Sequence, residues 1–181
     1  DDTAEILIFL GRIEIGDNRW KLSECHRAMN WLLSMQSKSG GWGAFDVDND
    51  KEVLNEIPFA DHKALLDTPT VDVTGRILWM LSKWGFKKHH PQVQRAIQFI
   101  KERQEIDGCW FGRWGVNYIY GTFLALNGLR AIGEDMKDRF SLKAVFWLKS
   151  HQNEDGGWGE TCQSYKEPSL RGRCKSTVSQ T

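Results

Sequence analysis

Apolar residues recur along this chain at helical spacing, and no stretch keeps the period-two alternation of a half-buried strand. Thr3 to Arg12 is periodic and apolar, which predicts a helix. Val71 to Lys83 places Val73, Ile77, Leu78 and Leu81 on one side of a helix. Val116 to Ile132 is long, apolar and rich in small residues, the pattern of a helix buried among others. Residues 45–69 break the pattern with Pro58, Pro69 and a string of acids, and read as a long ordered loop. Long loops inside compact domains tend to be functional.

A repeat underlies this periodicity. Arg27-Ala28, Trp31-Leu32 and Gln36 precede Gly40-Gly41-Trp42. Arg95-Ala96, Phe99-Ile100 and Gln104 precede Gly108-Cys109-Trp110, and Lys143-Ala144, Trp147-Leu148 and Gln152 precede Gly156-Gly157-Trp158. Basic residue, Ala, aromatic, aliphatic, Gln, Gly and Trp hold the same offsets in all three units, at about 27–42, 95–110 and 143–158. Each unit predicts an amphipathic helix that Gly ends in a left-handed cap. The Gln amide can satisfy orphan backbone groups at a neighbouring helix end, with the Trp lying over it. Repeated position implies repeated packing, so these Trp residues are structural staples. Stacked copies build a solenoid or a closed toroid of helix pairs.

Composition sharpens this picture. Nine Trp, nine Phe and three Tyr stand among 181 residues. Lys+Arg and Asp+Glu are 24 each, and the pI is about 7.1. A balanced charge argues against nucleic acid, which needs a basic excess on one face. No apolar run approaches the roughly 20 residues of a membrane span. Cys25, Cys109, Cys162 and Cys174 form no tight framework and predict reduced thiols in a cytoplasmic compartment. The chain opens inside a helical pattern and stops at Ser176 to Thr181, which reads as the N-cap region of a further helix. Both ends predict an internal piece of a longer protein.

The Gln…Gly-x-Trp units resemble the QW repeats of triterpene cyclases. Gly40-Gly-Trp-Gly-Ala-Phe-Asp-Val-Asp-Asn49, Asp72-Val-Thr-Gly-Arg76, Trp110-Phe-Gly-Arg-Trp-Gly-Val-Asn-Tyr-Ile-Tyr-Gly121 and Asp155-Gly-Gly-Trp-Gly-Glu160 resemble the squalene–hopene cyclases over essentially the whole chain. The resemblance implies an all-α fold, part of an α/α (α6-α6) barrel or toroid around a central cavity. It implies squalene as substrate and a full-length parent that is a membrane-associated homodimer on the cytoplasmic face of the membrane. Residues 1–181 would be a fragment of the catalytic region, without the membrane-anchoring segment and inactive by itself. With a barrel wall missing, apolar helix faces would be exposed and the piece would aggregate.

Asp1-Asp2-Thr3-Ala4 is similar to the end of the family's Asp-x-Asp-Asp-Thr-Ala acid motif, whose first Asp would precede this chain. The resemblance maps the proton donor onto Asp1 and the last acid onto Asp2. Oxidosqualene cyclases carry Cys after the acidic Asp, so Asp2 points to a squalene cyclase. Asp72, Arg76 and Tyr120 match residues around the acid, with Arg76 where familiar hopene cyclases often have His. Phe45, Phe59 and Trp114 match substrate-cavity aromatics; Phe45 replaces a Tyr, and Phe59 matches the constriction of the substrate channel.

Squalene carries no leaving group, so its cyclisation starts by protonating a plain alkene, which demands a strong acid. Asp1, Asp2 and Asp72 are the candidate cluster; clustered carboxylates cannot all ionise, and a cation beside the acid stabilises the anion left behind. Arg76 lies one helical turn after Asp72, on the same face. Arginine supplies charge but does not relay a proton, so reprotonation falls to Tyr120 and water. The cations formed next need stabilisation without a nucleophile, which aromatic faces provide at roughly 0.5–2 kcal/mol each. The products are hopene by deprotonation and hopanol by water capture, with no metal or organic cofactor.

Two rival readings come from other classes. Asp1-Asp2-Thr-Ala-Glu5 also resembles the Mg²⁺-binding acid pattern of isoprenoid diphosphate enzymes, though no basic diphosphate-binding cluster accompanies it. The repeats alone also permit a non-catalytic helical toroid that binds on its concave face. Asp46-x-Asp48-x-Asp50 opens like an EF-hand loop, but Lys51 replaces the turn Gly and Ile57 the bidentate Glu. These acids are expected to fix the loop through Asx turns. His89-His90 reads as a solvated turn, and Arg171, Arg173 and Lys175 as a basic surface loop.

Overall fold

A computed structural model describes residues 1–12, 23–49, 51, 54 and 65–174. Six helices follow one another: α1 (Asp2–Leu10), α2 (Glu24–Ser34), α3 (Val71–Lys83), α4 (Pro91–Glu102), α5 (Tyr118–Ile132) and α6 (Arg139–Ser150). Two 3₁₀ turns, Cys162–Tyr165 and Pro168–Leu170, close the described chain. No strand occurs among the described residues, where an isolated antiparallel bridge joins Trp42 to Thr70. The fold is all-α, as the periodicity indicated.

The helices form two rows. α1, α3 and α5 pack side by side, and α2, α4 and α6 lie against α1, α3 and α5 respectively. α3 is buried on nearly every side, through Val71, Val73, Ile77, Leu78, Met80 and Leu81. Its contact with α5 is backbone to backbone. A Cβ on Gly75 would strike the Leu124 carbonyl, and one on Gly128 would strike Gly75. Two glycines therefore set the α3–α5 spacing, which decides what their side chains can reach. This arrangement is an arc of an α/α toroid.

The repeat units tie the second row together. Gln36 Nε2 donates to its own turn at Gly40 O (2.8 Å) and to Gln92 O at the start of α4 (2.9 Å). Gln104 does the same to Gly108 O (2.9 Å) and to Phe140 O at the start of α6 (2.9 Å). Gln152 closes its own turn on Gly156 O at 2.7 Å. Thus the amide joins one helix end to the next, as its two donors allow.

The tryptophans add a tie of their own through the indole N–H. Each indole N–H reaches back ten residues to a carbonyl in the last turn of its own helix. Trp42 donates to Leu32 O (2.7 Å), Trp110 to Ile100 O (2.7 Å) and Trp158 to Leu148 O (2.8 Å). Each of these carbonyls also accepts the backbone N–H of the residue that ends its helix (Met35 to Leu32 O at 3.1 Å, Arg103 to Ile100 O and His151 to Leu148 O at 3.2 Å), and the indole adds a second donor at the remaining lone pair. The Trp42 and Trp110 backbone N–H groups donate to Thr74 Oγ1 and Thr122 Oγ1 on α3 and α5, linking the two rows.

Glycine does not cap the repeat helices. They end at Met35, Arg103 and His151, all with negative φ. The left-handed residues are Gly40, Gly108 and Gly156, four positions beyond each Gln, inside a turn closed by two backbone bonds of 2.9 Å in every copy. A left-handed Gly cap does occur, at Gly133 after α5.

Of the basic tail, Arg173 is exposed as expected, Lys175 lies outside the described residues, and Arg171 departs from expectation. Arg171 is largely buried and pairs with Glu105 (3.3 Å) and Asp107 (3.2 Å), with its guanidinium 4.6 Å from the Tyr118 ring. The two acids and the aromatic face are contributed by distant sequence, so a local reading of the tail could not find them. No disulfide links the cysteines.

Candidate functional site

The first turns of α1, α3 and α5 converge on Arg76. Asp1 is the N-cap of α1, Arg76 lies one turn into α3, and Tyr120 lies in the first turn of α5. Arg76 Nη1 sits 2.9 Å from both Asp1 carboxylate oxygens, and Nη2 donates to the Tyr120 hydroxyl at 2.7 Å. Arg76 Nε pairs with Glu5 Oε1 at 2.9 Å. The guanidinium side chain is 14% exposed and Asp1 25%, so the pair is sheltered but open on one side. Burial pushes the Tyr120 hydroxyl pKa up, against the pull of Arg76 and with help from the negative charge of Asp72. The phenol therefore stays neutral and can hand a proton along a hydrogen bond.

Asp72 is held by backbone donors. Its buried carboxylate accepts from the N–H groups of Val73 (3.0 Å), Arg113 (2.9 Å) and Trp114 (2.8 Å). It thereby clamps the loop before α5. Asp2 is exposed at the start of α1. The structure thus brings Asp1, Arg76 and Tyr120 into one contact, and joins Asp72 to the backbone of Trp114.

Trp114 and Phe45 meet edge to face, with ring centroids 5.6 Å apart and planes at 88°. Such pairs favour the positive edge of one ring on the negative face of the other. Trp114 is 41% and Phe45 75% exposed, so both rings present open faces. Phe59 lies outside the described residues.

Sequence reasoning missed several residues that hold these groups. Asp67 accepts from the N–H groups of Ala44 (2.9 Å), Phe45 and Asp46 (2.7 Å), pinning the loop that carries Phe45. A Cβ on Gly43 would lie 2.7 Å from Asp67 Oδ2, which is why Gly stands there. Glu160 Oε2 accepts from Asn117 N (3.2 Å) and Ile119 N (3.0 Å) and so caps α5. Tyr165 donates to Gly115 O at 2.7 Å, and burial raises its pKa. Glu160 lies in the quoted Gly-Trp-Gly-Glu motif, which was its available signal. Asp67 and Tyr165 had none.

The neighbouring acids behave as loop fixtures. Asp46 Oδ1 accepts from Val47 N at 2.8 Å, and Asp48 Oδ1 from Lys38 N at 2.7 Å, a bond that lowers the Asp48 pKa. Asp1 and Glu5, the outer acids of the Mg²⁺-like pattern, both face the Arg76 guanidinium. Among the described residues no three His, Cys, Asp or Glu side chains gather in a metal-binding group. Two open clefts of about 530 and 1000 Å³ lie beside His151 and Arg173 and share no lining residue with the Arg76 site.

The Squalene-hopene cyclase C-terminal domain family matches residues 1–181. The chain is 50% identical over 167 residues to a squalene–hopene cyclase of Zymomonas mobilis, covering 91% of this chain and 25% of that protein. It is 42% identical over 181 residues to the squalene–hopene cyclase of Alicyclobacillus acidocaldarius, covering 100% of this chain and 29% of that protein. A dammaradiene synthase of Dryopteris crassirhizoma is 38% identical over 200 residues, covering 100% of this chain and 29% of that protein. The chain spans about a quarter of the length of these relatives. It belongs to the squalene-hopene cyclase C-terminal domain family.

Proposed function

We propose that these residues form the acid end of a squalene cyclase cavity, with Asp1 as proton donor. The observation that carries this reading is the Arg76 guanidinium held between the Asp1 carboxylate and the Tyr120 hydroxyl. Protonated Asp1 gives its carboxyl proton to the terminal alkene carbon; the O–H bond breaks, a C–H bond forms, and the π pair is consumed. The carboxylate left behind is stabilised at once by the positive charge 2.9 Å away. No reorganisation is needed at that moment, because α3 already holds the guanidinium in place.

The tertiary cation then draws on successive double bonds. Trp114 and Phe45 offer quadrupole faces without lone pairs that would trap it. Loss of a proton from the final cation gives an alkene of the hopene type. Capture of water, with a proton released to solvent, gives hopanol, so the enzyme also has a hydro-lyase character in reverse. Tyr120 and water return a proton to Asp1 for the next cycle. Asp72 serves by fixing the backbone of Trp114, and Asp2 by adding negative charge at the start of α1.

The complete enzyme is a membrane-associated homodimer on the cytoplasmic face, where an apolar substrate partitions. No helix among the described residues is long and apolar enough to cross a membrane. Exposed Ile6, Phe9, Phe123 and Phe146 are apolar surface for the rest of such a barrel to cover. The test is a complete cyclase carrying residues 1–181, assayed with squalene as wild type and as Asp1→Asn. Turnover in the wild type and loss of about 10²–10⁴-fold in the variant is expected. Undiminished turnover in Asp1→Asn would refute the donor assignment.

A further inference from the structure

The loop carrying Phe45 and the loop carrying Trp114 are far apart in sequence, yet their rings meet at a defined edge-to-face angle. Something must hold two loops to one geometry, since an exposed aromatic pair of about 1 kcal/mol cannot order two loops by itself. The hydrogen bonds identify the link. Asp67 collects the N–H groups of residues 44, 45 and 46. The residues on either side of Asp67 are both held by one side chain, Arg113. Its Nη1 donates to Leu66 O at 3.0 Å, and its Nη2 donates to Thr68 Oγ1 at 2.8 Å. Arg113 is the residue before Trp114, and the N–H groups of both go to Asp72 Oδ2.

Resting on the cyclase reading above, we propose that Arg113 is a positioning residue that sets the Phe45–Trp114 ring pair and thereby how far cation closure runs. One covalent step separates Arg113 from Trp114, and one separates Leu66 and Thr68 from Asp67. The guanidinium is planar with a fixed fork of donors, so two acceptors bound to it are fixed relative to each other. Arg113 is 8% and Thr68 2% exposed, so water does not compete well for these bonds. The Asp1 carboxylate is held by Arg76, one helical turn beyond Asp72 on α3. Through the ring pair, Arg113 acts on the steps that follow delivery of the proton. A cation whose aromatic wall is displaced is stabilised less well, and it loses a proton before all rings have closed.

The experiment compares Arg113→Lys, Arg113→Met and Thr68→Val with wild type in a complete cyclase carrying these residues. Phe45→Ala serves as the reference for a lost ring. Lysine keeps the charge but cannot bridge two acceptors in one plane, and valine removes a single hydroxyl at nearly constant volume. Incompletely cyclised hydrocarbons are expected to rise several-fold as a share of product in Arg113→Lys and Thr68→Val, in the direction of Phe45→Ala, and by more than total squalene consumption falls. Amide hydrogen exchange at residues 44–46 should accelerate in both variants. A purely structural Arg113 would lower the melting temperature and total turnover while leaving the product shares as in wild type. Unchanged product shares with unchanged exchange at 44–46 in Thr68→Val and Arg113→Lys would overturn the proposal, even if Arg113→Met does not fold. The exchange measurement needs no turnover, so it judges this link independently of whether the cyclase reading stands.

Discussion

Arg76 and Asp1 lie 75 residues apart in sequence, and the arginine Nη1 is 2.9 Å from each oxygen of the aspartate carboxylate. The same guanidinium also serves Glu5 and Tyr120. Three partners on two helices converge on one side chain, so its geometry is fixed from several directions. Arg76→Lys keeps the charge but offers a single nitrogen to replace three. In a complete cyclase, kcat should fall by about 10²-fold, the scale expected when a reacting group is misplaced by about 1 Å. KM for squalene should change far less, because the apolar substrate gains nothing from the cation. Arg76→Met should be worse again. Steady-state kinetics on the two variants checks the order.

The three tyrosines give a pH signature. Burial raises the pKa of Tyr120 and Tyr165, and pushes that of Tyr118 up to about 12. A free tyrosine titrates near about 10. Each group thus holds its proton more tightly folded than unfolded. The stabilisation is complete below about pH 10 and is lost as pH rises toward the folded values, because the unfolded chain then binds fewer protons. Urea midpoints measured upward from pH 9 should hold and then fall steeply above about pH 10. Tyr118→Phe should make that fall shallower.

Helices were legible in the sequence because their signal is local. Residues 71–83 were read to the residue, and the Gln ties followed from an amide with two donors beside a helix end. Long-range polar roles were not legible. Asp72 looked like one more acid of a cluster, but its carboxylate bonds backbone more than 40 residues away. Arg113 sat inside a quoted motif without a role, since its partners Leu66 and Thr68 carry no pattern of their own. The indole-to-carbonyl bonds recur at a fixed offset of ten residues, yet that offset means something only once the turn between them has a shape. Periodicity reports which face is buried; it does not report which carbonyl a buried N–H will find.

Two repeat glycines should respond unequally to the same substitution. Gly108 has φ +108°, and a Cβ there would lie 2.8 Å from the Lys143 carbonyl oxygen on α6. Gly156 has φ +84° and open space around it. Gly156→Ala should cost only the left-handed backbone penalty, about 1–2 kcal/mol. Gly108→Ala adds a backbone clash and should cost about 1–3 kcal/mol more. Denaturant midpoints for the pair, in one protein background, test the difference.

The repeat glutamines and tryptophans carry the last test, because the same residue types do different amounts of work in successive copies. Gln104 closes its own turn and also holds the start of α6, whereas the bond of Gln152 is to its own turn and is exposed. Gln104→Ala strips two carbonyls of their donor, each costing about 1–3 kcal/mol if it stays buried. Gln152→Ala should fall at or below the low end of that range, since water can take over an exposed acceptor. Trp110→Phe separates the polar from the apolar share of a staple: the ring volume largely remains, but Ile100 O loses its 2.7 Å donor in a fully buried setting. A loss of about 0.5–1.5 kcal/mol is expected there, because Ile100 O keeps the Arg103 backbone N–H as a donor. If Trp110→Phe proves neutral while Gln104→Ala does not, the indole acts through its volume alone, and the ten-residue hydrogen bond is a consequence of packing rather than a cause of it.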